Sequence, residues 1–189
     1  MLKCIPIERN GIKDVVTILR LKNHYSPAET KLIQDKGKIV PRANPPTYNK
    51  IIWRKNHFSV YNCYELADIK HRSIFRSEVD MLFASEYNND VNYFSNITYT
   101  ISRDIHCFFI QVNTSDFGDS RITKPSKTEA KDLMRLKGGK NSVVLYEELD
   151  LNDLREFQST RLSGQDTSKY KNTPPNYIHK SAESRLKEE

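Results

Sequence analysis

Residues 105 to 112, Ile-His-Cys-Phe-Phe-Ile-Gln-Val, constrain the fold more than any other run in the chain. Apolar side chains occupy both alternating positions, so a strand here has no face to turn toward water and belongs in the middle of a covered sheet. The segments after it alternate in kind. Ser126 to Lys137 reads as a helix: Ser126 caps, Glu129 completes a capping box, Ala130, Leu133, Met134 and Lys137 trace one face, and Gly138-Gly139 end it. Ser142 to Tyr146 reads as a short buried strand and Glu147 to Phe157 as a second helix. Strand, helix, strand, helix is the order of an α/β or α+β core, a central mixed sheet flanked by helices.

Upstream, Lys70 to Phe94 suggests a chemistry. Ile74, Phe75, Val79, Leu82, Phe83 and Tyr87 recur at spacings of three and four, which predicts a helix with one buried face over Ile74 to Tyr87. Asn88-Asn89-Asp90 is a turn signal, and Val91, Tyr93, Ile97, Tyr99 and Ile101 alternate as a strand or two. A helix carrying an acid, followed by strands that bring a second acid beside it, suits a metal-dependent nuclease.

On Lys70, Phe75, Ser77, Asp80, Asp90, Val91, Tyr93 and Phe94, taken in that order, the stretch resembles the start of the nuclease core of TnsA-like transposon-end endonucleases and related PD-(D/E)XK proteins. Asp80 stands where that family has Glu, and the helix is shorter by about two residues. The resemblance implies a restriction-endonuclease-like core in which two acids hold Mg²⁺ or Mn²⁺ and a lysine lies near the attacking water. Carried over, Asp80 and Asp104 are the metal ligands and Gln111 opens the acid-or-Gln, any residue, Lys triplet, with Asn113 in place of its lysine. Lys124, Lys127 or Lys131 then has to supply the missing cation, Lys127 being the choice here, or the site binds without cutting.

Composition bears on the partner. The chain has 189 residues, of which 37% are hydrophobic and 29% charged, enough for one real core plus surface extensions. Lysine and arginine exceed the acids by 30 to 24, a net charge of +6, which favours an acidic partner such as nucleic acid. Around the extended Val40 to Pro46 segment lie Lys36, Lys38, Arg42, Lys50, Arg54 and Lys55, interleaved with Tyr48 and Trp53. Lys50, Arg54, Lys55, Arg42 and Trp53 are the expected nucleic-acid contacts, although aromatic residues at these positions equally suit a core edge.

In the remaining segments, Leu2 to Leu21 is open between strand and helix, with a break at Gly11, and Ser26-Pro-Ala-Glu29 starts a helix that runs to about Asp35. Ile51 to Tyr64 is a hairpin turning at Lys55-Asn56. His57 and His71 are expected to face solvent, and His106 has no second ligand at metal spacing. Cys4, Cys63 and Cys107 fit no zinc spacing and are expected as buried thiols in a reducing, cytoplasmic setting, with no signal peptide or membrane span. After Gln158 the apolar residues thin out, so residues 159–189 read as a polar tail that orders on a protein partner. The domain plan is 1–47, a helix and basic arm; 48–158, the core; 159–189, the tail. Two functions fit this plan: a divalent-metal-dependent DNA endonuclease of a mobile element, phage or virus, working with a partner protein, or a non-enzymatic basic nucleic-acid-binding or host-interaction protein.

Overall fold

The computed structural model describes residues 2–139 and 143–188, and the chain divides into two compact units, Met1–Asn49 and Lys50–Glu189. In the first, β1 (Leu2–Arg9) and β2 (Ile12–Leu19) pair antiparallel, Leu2 opposite Leu19 and Arg9 opposite Ile12. Their two-residue connection, Asn10-Gly11, has φ of 54° and 77°. A hairpin turn this tight needs both residues left-handed, the region that asparagine and glycine enter most cheaply. Helix α1 (Pro27–Asp35) starts on the expected capping box: Ser26 Oγ accepts from the Glu29 amide at 3.2 Å and Glu29 Oε2 accepts from the Ser26 amide at 2.8 Å. Asn23 fastens the end of the proline-rich segment, donating to the Thr47 carbonyl at 2.8 Å and accepting from its amide at 3.0 Å.

The second unit is built on a six-stranded sheet of β3 (Ile51–Trp53), β4 (Asn56–Asn62), β5 (Met81–Glu86), β6 (Phe108–Asn113), β7 (Ser120–Thr123) and β8 (Asp132–Leu136), in that spatial order. Strands β4, β5 and β6 run parallel and the outer pairs antiparallel, so the sheet is mixed, as expected. Its helices are α2 (Ile69–Arg72), α3 (Val91–Ile101), α4 (Leu151–Ser159) and α5 (His179–Lys187). The apolar run at 105–112 supplies β6, which begins at Phe108 because Ser102–His106 still coil as the end of the preceding helix. One face of the sheet carries Leu82, Ala84, Phe109, Gln111 and Arg121, all buried, and α3 lies over it, with Thr98 Oγ1 donating to Gln111 Oε1 at 2.9 Å. On the other side Phe108, Leu154 of α4 and Tyr170 form a buried cluster, with Met81, Ile110 and Phe157 packed against it.

Four segments differ from the sequence reading. Ile74 to Tyr87 is not a helix: Phe75 and Val79 are buried by the connection from α2, Asp80 joins it to the sheet, and Met81–Glu86 is a strand with Leu82, Ala84 and Glu86 inward. Over so short a window, spacings of three and four fit a turn followed by a period-two strand equally well. Val91 to Ile101 is helix rather than strand, capped by Asp90, whose Oδ1 accepts from the Tyr93 amide at 3.3 Å, and it buries Phe94, Ile97, Thr98 and Ile101. Ser126 to Lys137 holds only a single turn, Thr128–Ala130, before edge strand β8. Ser142, which opens the strand expected at 142–146, lies outside the described residues, and Val143 to Tyr146 are exposed with no strand.

The Gly138-Gly139 pair thus ends a strand, and its role is close approach. Gly118 has φ of 72°, and a Cβ there would fall 1.7 Å from the Lys137 carbonyl oxygen; a Cβ on Gly138 would fall 2.7 Å from Gly118 Cα. Only glycines let these two backbones meet. The expected polar tail is also part of the second unit, with Tyr170, Thr173, Tyr177, Ala182 and Arg185 buried. Its low apolar content is made up by hydrogen bonds and ion pairs, which composition does not reveal.

Candidate active site at the carboxyl ends of the parallel strands

In sheets of parallel strands, ligands gather at the carboxyl ends, where loops diverge and backbone groups stand unpaired. Here β4 ends at Asn62, β5 at Glu86 and β6 at Asn113. Cys63 is the first residue past β4. It opens a short 3₁₀ helix, Cys63–Ala67, with φ of 42°, so the chain turns from strand to helix through a left-handed, non-glycine residue. Such strain at a strand-to-helix turn lifts a side chain clear of its neighbours, the geometry by which many nucleophiles are presented. Glu65 Oε2 accepts from the Asn62 amide at 2.8 Å and holds the turn, and Cys63 Sγ lies 3.9 Å from the Tyr87 carbonyl oxygen, at the end of the next strand.

Glu86 is 7% exposed. Gln111 Nε2 donates to its Oε2 at 2.9 Å, and Gln111 is in turn held by Thr98, while Glu86 Oε1 has no hydrogen-bond partner. Burial pushes its carboxyl up to about 7, against hydrogen bonds from Gln111 and Asn88 and the positive charge of Arg121, with Asp119 adding to the rise. Asn113 stitches the two strand ends together, donating through Nδ2 to the Asn88 and Gly118 carbonyls, both at 2.9 Å, and accepting from the Asn88 amide at 3.0 Å. Beyond it, Asp119 accepts from Ser95 Oγ at 2.6 Å and pairs with Arg121 and Arg135. Burial would raise the Asp119 carboxyl, but Arg135, Ser95 and Arg121 together hold it below the usual carboxylate range. Arg121 stacks over Tyr99, its guanidinium carbon 4.8 Å from the ring centre.

The residues expected to form a nuclease site are not brought together as one. Asp80 is fully buried, and its two oxygens accept from Arg155 Nε at 3.1 Å, Arg155 Nη2 at 2.7 Å, Arg185 Nε at 2.9 Å and the His57 amide at 3.1 Å. With both oxygens spent on guanidinium groups it has no lone pair for a cation, so Asp80 is not a metal ligand but the anchor of α4 and α5. Asp104 is exposed on the turn before β6, and it is its backbone carbonyl that is engaged, by Arg76 Nε at 2.8 Å. Gln111 is the one expected residue inside the present site, as a hydrogen-bond relay to Glu86. Lys127 is exposed ahead of the Thr128 turn.

The expected nucleic-acid contacts are similarly dispersed in role. Lys50 pairs with Glu78 at 2.7 Å, Arg54 lies over Trp53 at 4.8 Å, and the Lys55 carbonyl accepts from Arg155 at 2.7 Å. Arg42 belongs to the first unit. His57, expected in solvent, is 2% exposed and meets Glu188 Oε2 at 2.7 Å, and His71 meets Asp68 at the same distance. Of the three cysteines Cys107 alone is fully buried; Cys4 is exposed and Cys63 half-buried. No helix among the described residues is long and apolar enough to cross a membrane.

No protein family's sequence pattern matches the chain, and no curated protein matches it by sequence. Solved structures do match in fold. A branch 10 member of the nitrilase superfamily from Saccharomyces cerevisiae superposes with a TM-score of 0.50 at 13% identity, over 69% of this chain and 45% of that one. An amidase from Nesterenkonia sp. AN1, with the acetamide moiety of fluoroacetamide added covalently at its active-site cysteine, gives 0.48 at 13% identity over 66% and 47%. A CN-hydrolase superfamily protein from Xanthomonas campestris, with an arsenic adduct in its active site, gives 0.46 at 11% identity over 74% and 59%. The chain therefore spans about half the length of these neighbours. The likeness is one of fold, and it is to nitrilase-type proteins.

That finding overturns the resemblance to TnsA-like PD-(D/E)XK endonucleases. The helix on which that resemblance rested is a strand, and the sheet it joins has a nitrilase-like neighbour. The readings built on it are corrected with it: the metal-dependent DNA endonuclease of a mobile element, phage or virus, and its Mg²⁺ at Asp80 and Asp104. The basic nucleic-acid binder offered as the alternative, which rested on charge, is corrected too, because the fold neighbours are nitrilase-type. Two residues central to the site, Cys63 and Glu86, were not picked out from sequence. The available signal was Asn62-Cys63-Tyr64-Glu65 directly after an alternating strand, an asparagine and a glutamate three apart bracketing a cysteine.

Proposed function

We propose that the chain carries a thiol-dependent hydrolase centre for carboxamide C–N bonds, with Cys63 as nucleophile. The observation that carries this reading is the placement of Cys63, a half-buried thiol on a left-handed turn at the carboxyl end of a central parallel strand. The likeness in fold to a nitrilase-superfamily protein supports the reaction class. The thiol sulfur adds to the amide carbonyl carbon, the C–N bond breaks to release an amine or ammonia, and water hydrolyses the resulting thioester to a carboxylic acid. Cys107 is unsuited to this role, since complete burial pushes its thiol far up and leaves it no access to substrate.

Because the chain spans about half of its neighbours' length, the test is set on the acylation half-reaction. Intact-mass and peptide mass spectrometry after incubation with fluoroacetamide and with a panel of short aliphatic amides should show a stable adduct on Cys63 in the first case and ammonia release in the second. Cys63→Ser should lose both and keep its thermal midpoint. Labelling of Cys4 with Cys63 unmodified would sink the reading.

A further inference from the structure

We propose a second binding site in the Lys50–Glu189 unit, a cavity between α2 and the end of α3 that takes a short aliphatic carboxylate. It stands independently of the hydrolase reading. The cavity measures about 130 Å³. Ile69, Ile101 and Ile105 make its apolar side, the last two being 1% and 2% exposed. Ile101 ends α3 and Ile105 lies three residues before β6, whose first residue pairs with the first of β5. The cavity is thus at the amino ends of these strands, whereas Cys63 and Glu86 stand at carboxyl ends. Apolar cavities of about 150 Å³ take up benzene, so a chain of about four or five carbons suits this one.

The polar side supplies the charge. Arg72 ends α2 and Arg76 follows four residues on, both half-buried and both lining the cavity. Each is fixed by main-chain carbonyls: Arg72 Nη1 donates to Leu66 at 3.2 Å, and Arg76 donates through Nε to Asp104 at 2.8 Å and through Nη1 to Pro175 at 3.3 Å. Neutral carbonyls hold a guanidinium in place without cancelling its charge. Among the described residues neither arginine meets a carboxylate, and Arg72 Nε and Nη2 and Arg76 Nη2 are left to donate. A pair of preset planar forks is suited to a carboxylate. Asp104 also lines the cavity, and there its backbone rather than its carboxylate meets Arg76. Two guanidiniums against one carboxylate leave a single positive charge, which a monoanion neutralises. Inorganic phosphate could use the same donors, but it would leave the isoleucines uncovered. The ligand's carboxylate can belong to a fatty acid or to an aliphatic amino acid, whose ammonium Asp104 would receive.

Amide NMR spectra of the full chain, titrated with pentanoate, pentanamide, valine and inorganic phosphate at matched ionic strength, test this. Pentanoate should shift the Ile101 and Ile105 signals saturably in the millimolar range, as expected for a ligand of about seven non-hydrogen atoms, and uncharged pentanamide should not. Arg72→Gln should weaken pentanoate binding by about tenfold or more, with Arg76→Gln as the second variant should the first not fold. Cys63→Ser should bind as wild type does. If the ligand is an amino acid, valine binds more tightly than pentanoate and Asp104→Asn removes its advantage; if a fatty acid, pentanoate binds more tightly and Asp104→Asn strengthens it by removing a like charge. No saturable shift at Ile101 and Ile105 in the folded wild type, unchanged affinity in the folded arginine variants, or phosphate binding as tightly as pentanoate would overturn the assignment. Loss of pentanoate binding in Cys63→Ser would also overturn it, by placing the ligand at the other end of the sheet.

Discussion

Replacing Asp80 by asparagine isolates the charge at the centre of the second unit while preserving its shape. Asp80 is 0% exposed, and the side chains of Arg155 and Arg185 beside it are 4% and 2% exposed. Four hydrogen bonds end on its carboxylate, three of them from guanidinium groups. Asparagine keeps one acceptor oxygen and turns an NH₂ group toward donors that have nothing to accept. Two buried guanidiniums then lose their counter-charge, a situation that costs about 3 to 5 kcal/mol when one partner of a buried ion pair is removed. Against a total stability of about 5 to 15 kcal/mol, the thermal midpoint should drop by roughly 6 to 20 °C. Circular dichroism melts and urea titrations measure this directly. Because Arg185 Nη2 also donates to Gln158 and its Nη1 to the Ser77 carbonyl, Arg185→Met should be costly alone, yet the double variant should be less destabilised than the sum of the two. A loss below about 1 kcal/mol in Asp80→Asn, or strict additivity in the double variant, would refute the account of Asp80 as the anchor of α4 and α5.

His106 is fully buried, its Nε2 within 2.8 Å of the Lys171 carbonyl, and burial lowers its pKa to about 4. Between the ordinary value of about 6.5 and 4 the unfolded chain binds a proton that the folded chain does not, so stability should fall as pH drops through that window, by about 3 kcal/mol in full; urea titrations from pH 7 to 4 should show this limb flattened in His106→Gln. Leu82, 0% exposed, should cost about 2 to 5 kcal/mol when cut to alanine, whereas Phe83, half-buried on the opposite face against Phe58, should cost less; equal losses in chemical denaturation would mean that the register of β5 is misassigned. Gly118→Ala must both hold a positive φ and displace the Lys137 carbonyl, so it should destabilise by at least about 1 kcal/mol, and a neutral melt would contradict that close approach.

Where structure is decided within a few residues, the sequence was legible. The Ser26 to Glu29 box starts α1, the apolar run at 105–112 supplies β6 from Phe108 on, and α4 falls within two to four residues of where its leucines placed it. Such signals depend on local hydrogen bonds and on side chains with no wet face available. Val91 to Ile101 shows the limit: its β-branched and aromatic residues at odd positions read as strand, yet burial against β6 selects the helical face of Phe94, Ile97, Thr98 and Ile101. Asp80 read as a helix acid because nothing near it in sequence announces Arg155 and Arg185, which arrive from 75 and 105 residues away. The same holds for the tail, whose charged residues looked solvated until Arg185 was placed on Asp80 and Glu188 on His57. Cys63 and Glu86 are ordinary in sequence; one acquires its left-handed turn from the strand that ends before it, the other its raised pKa from the helix and strands that exclude water around it. Backbone strain and desolvation are properties of position in the folded chain, so the candidate site comes from tertiary structure; even the strand that carries Glu86 and the helix over Gln111 took their form from packing rather than from local pattern.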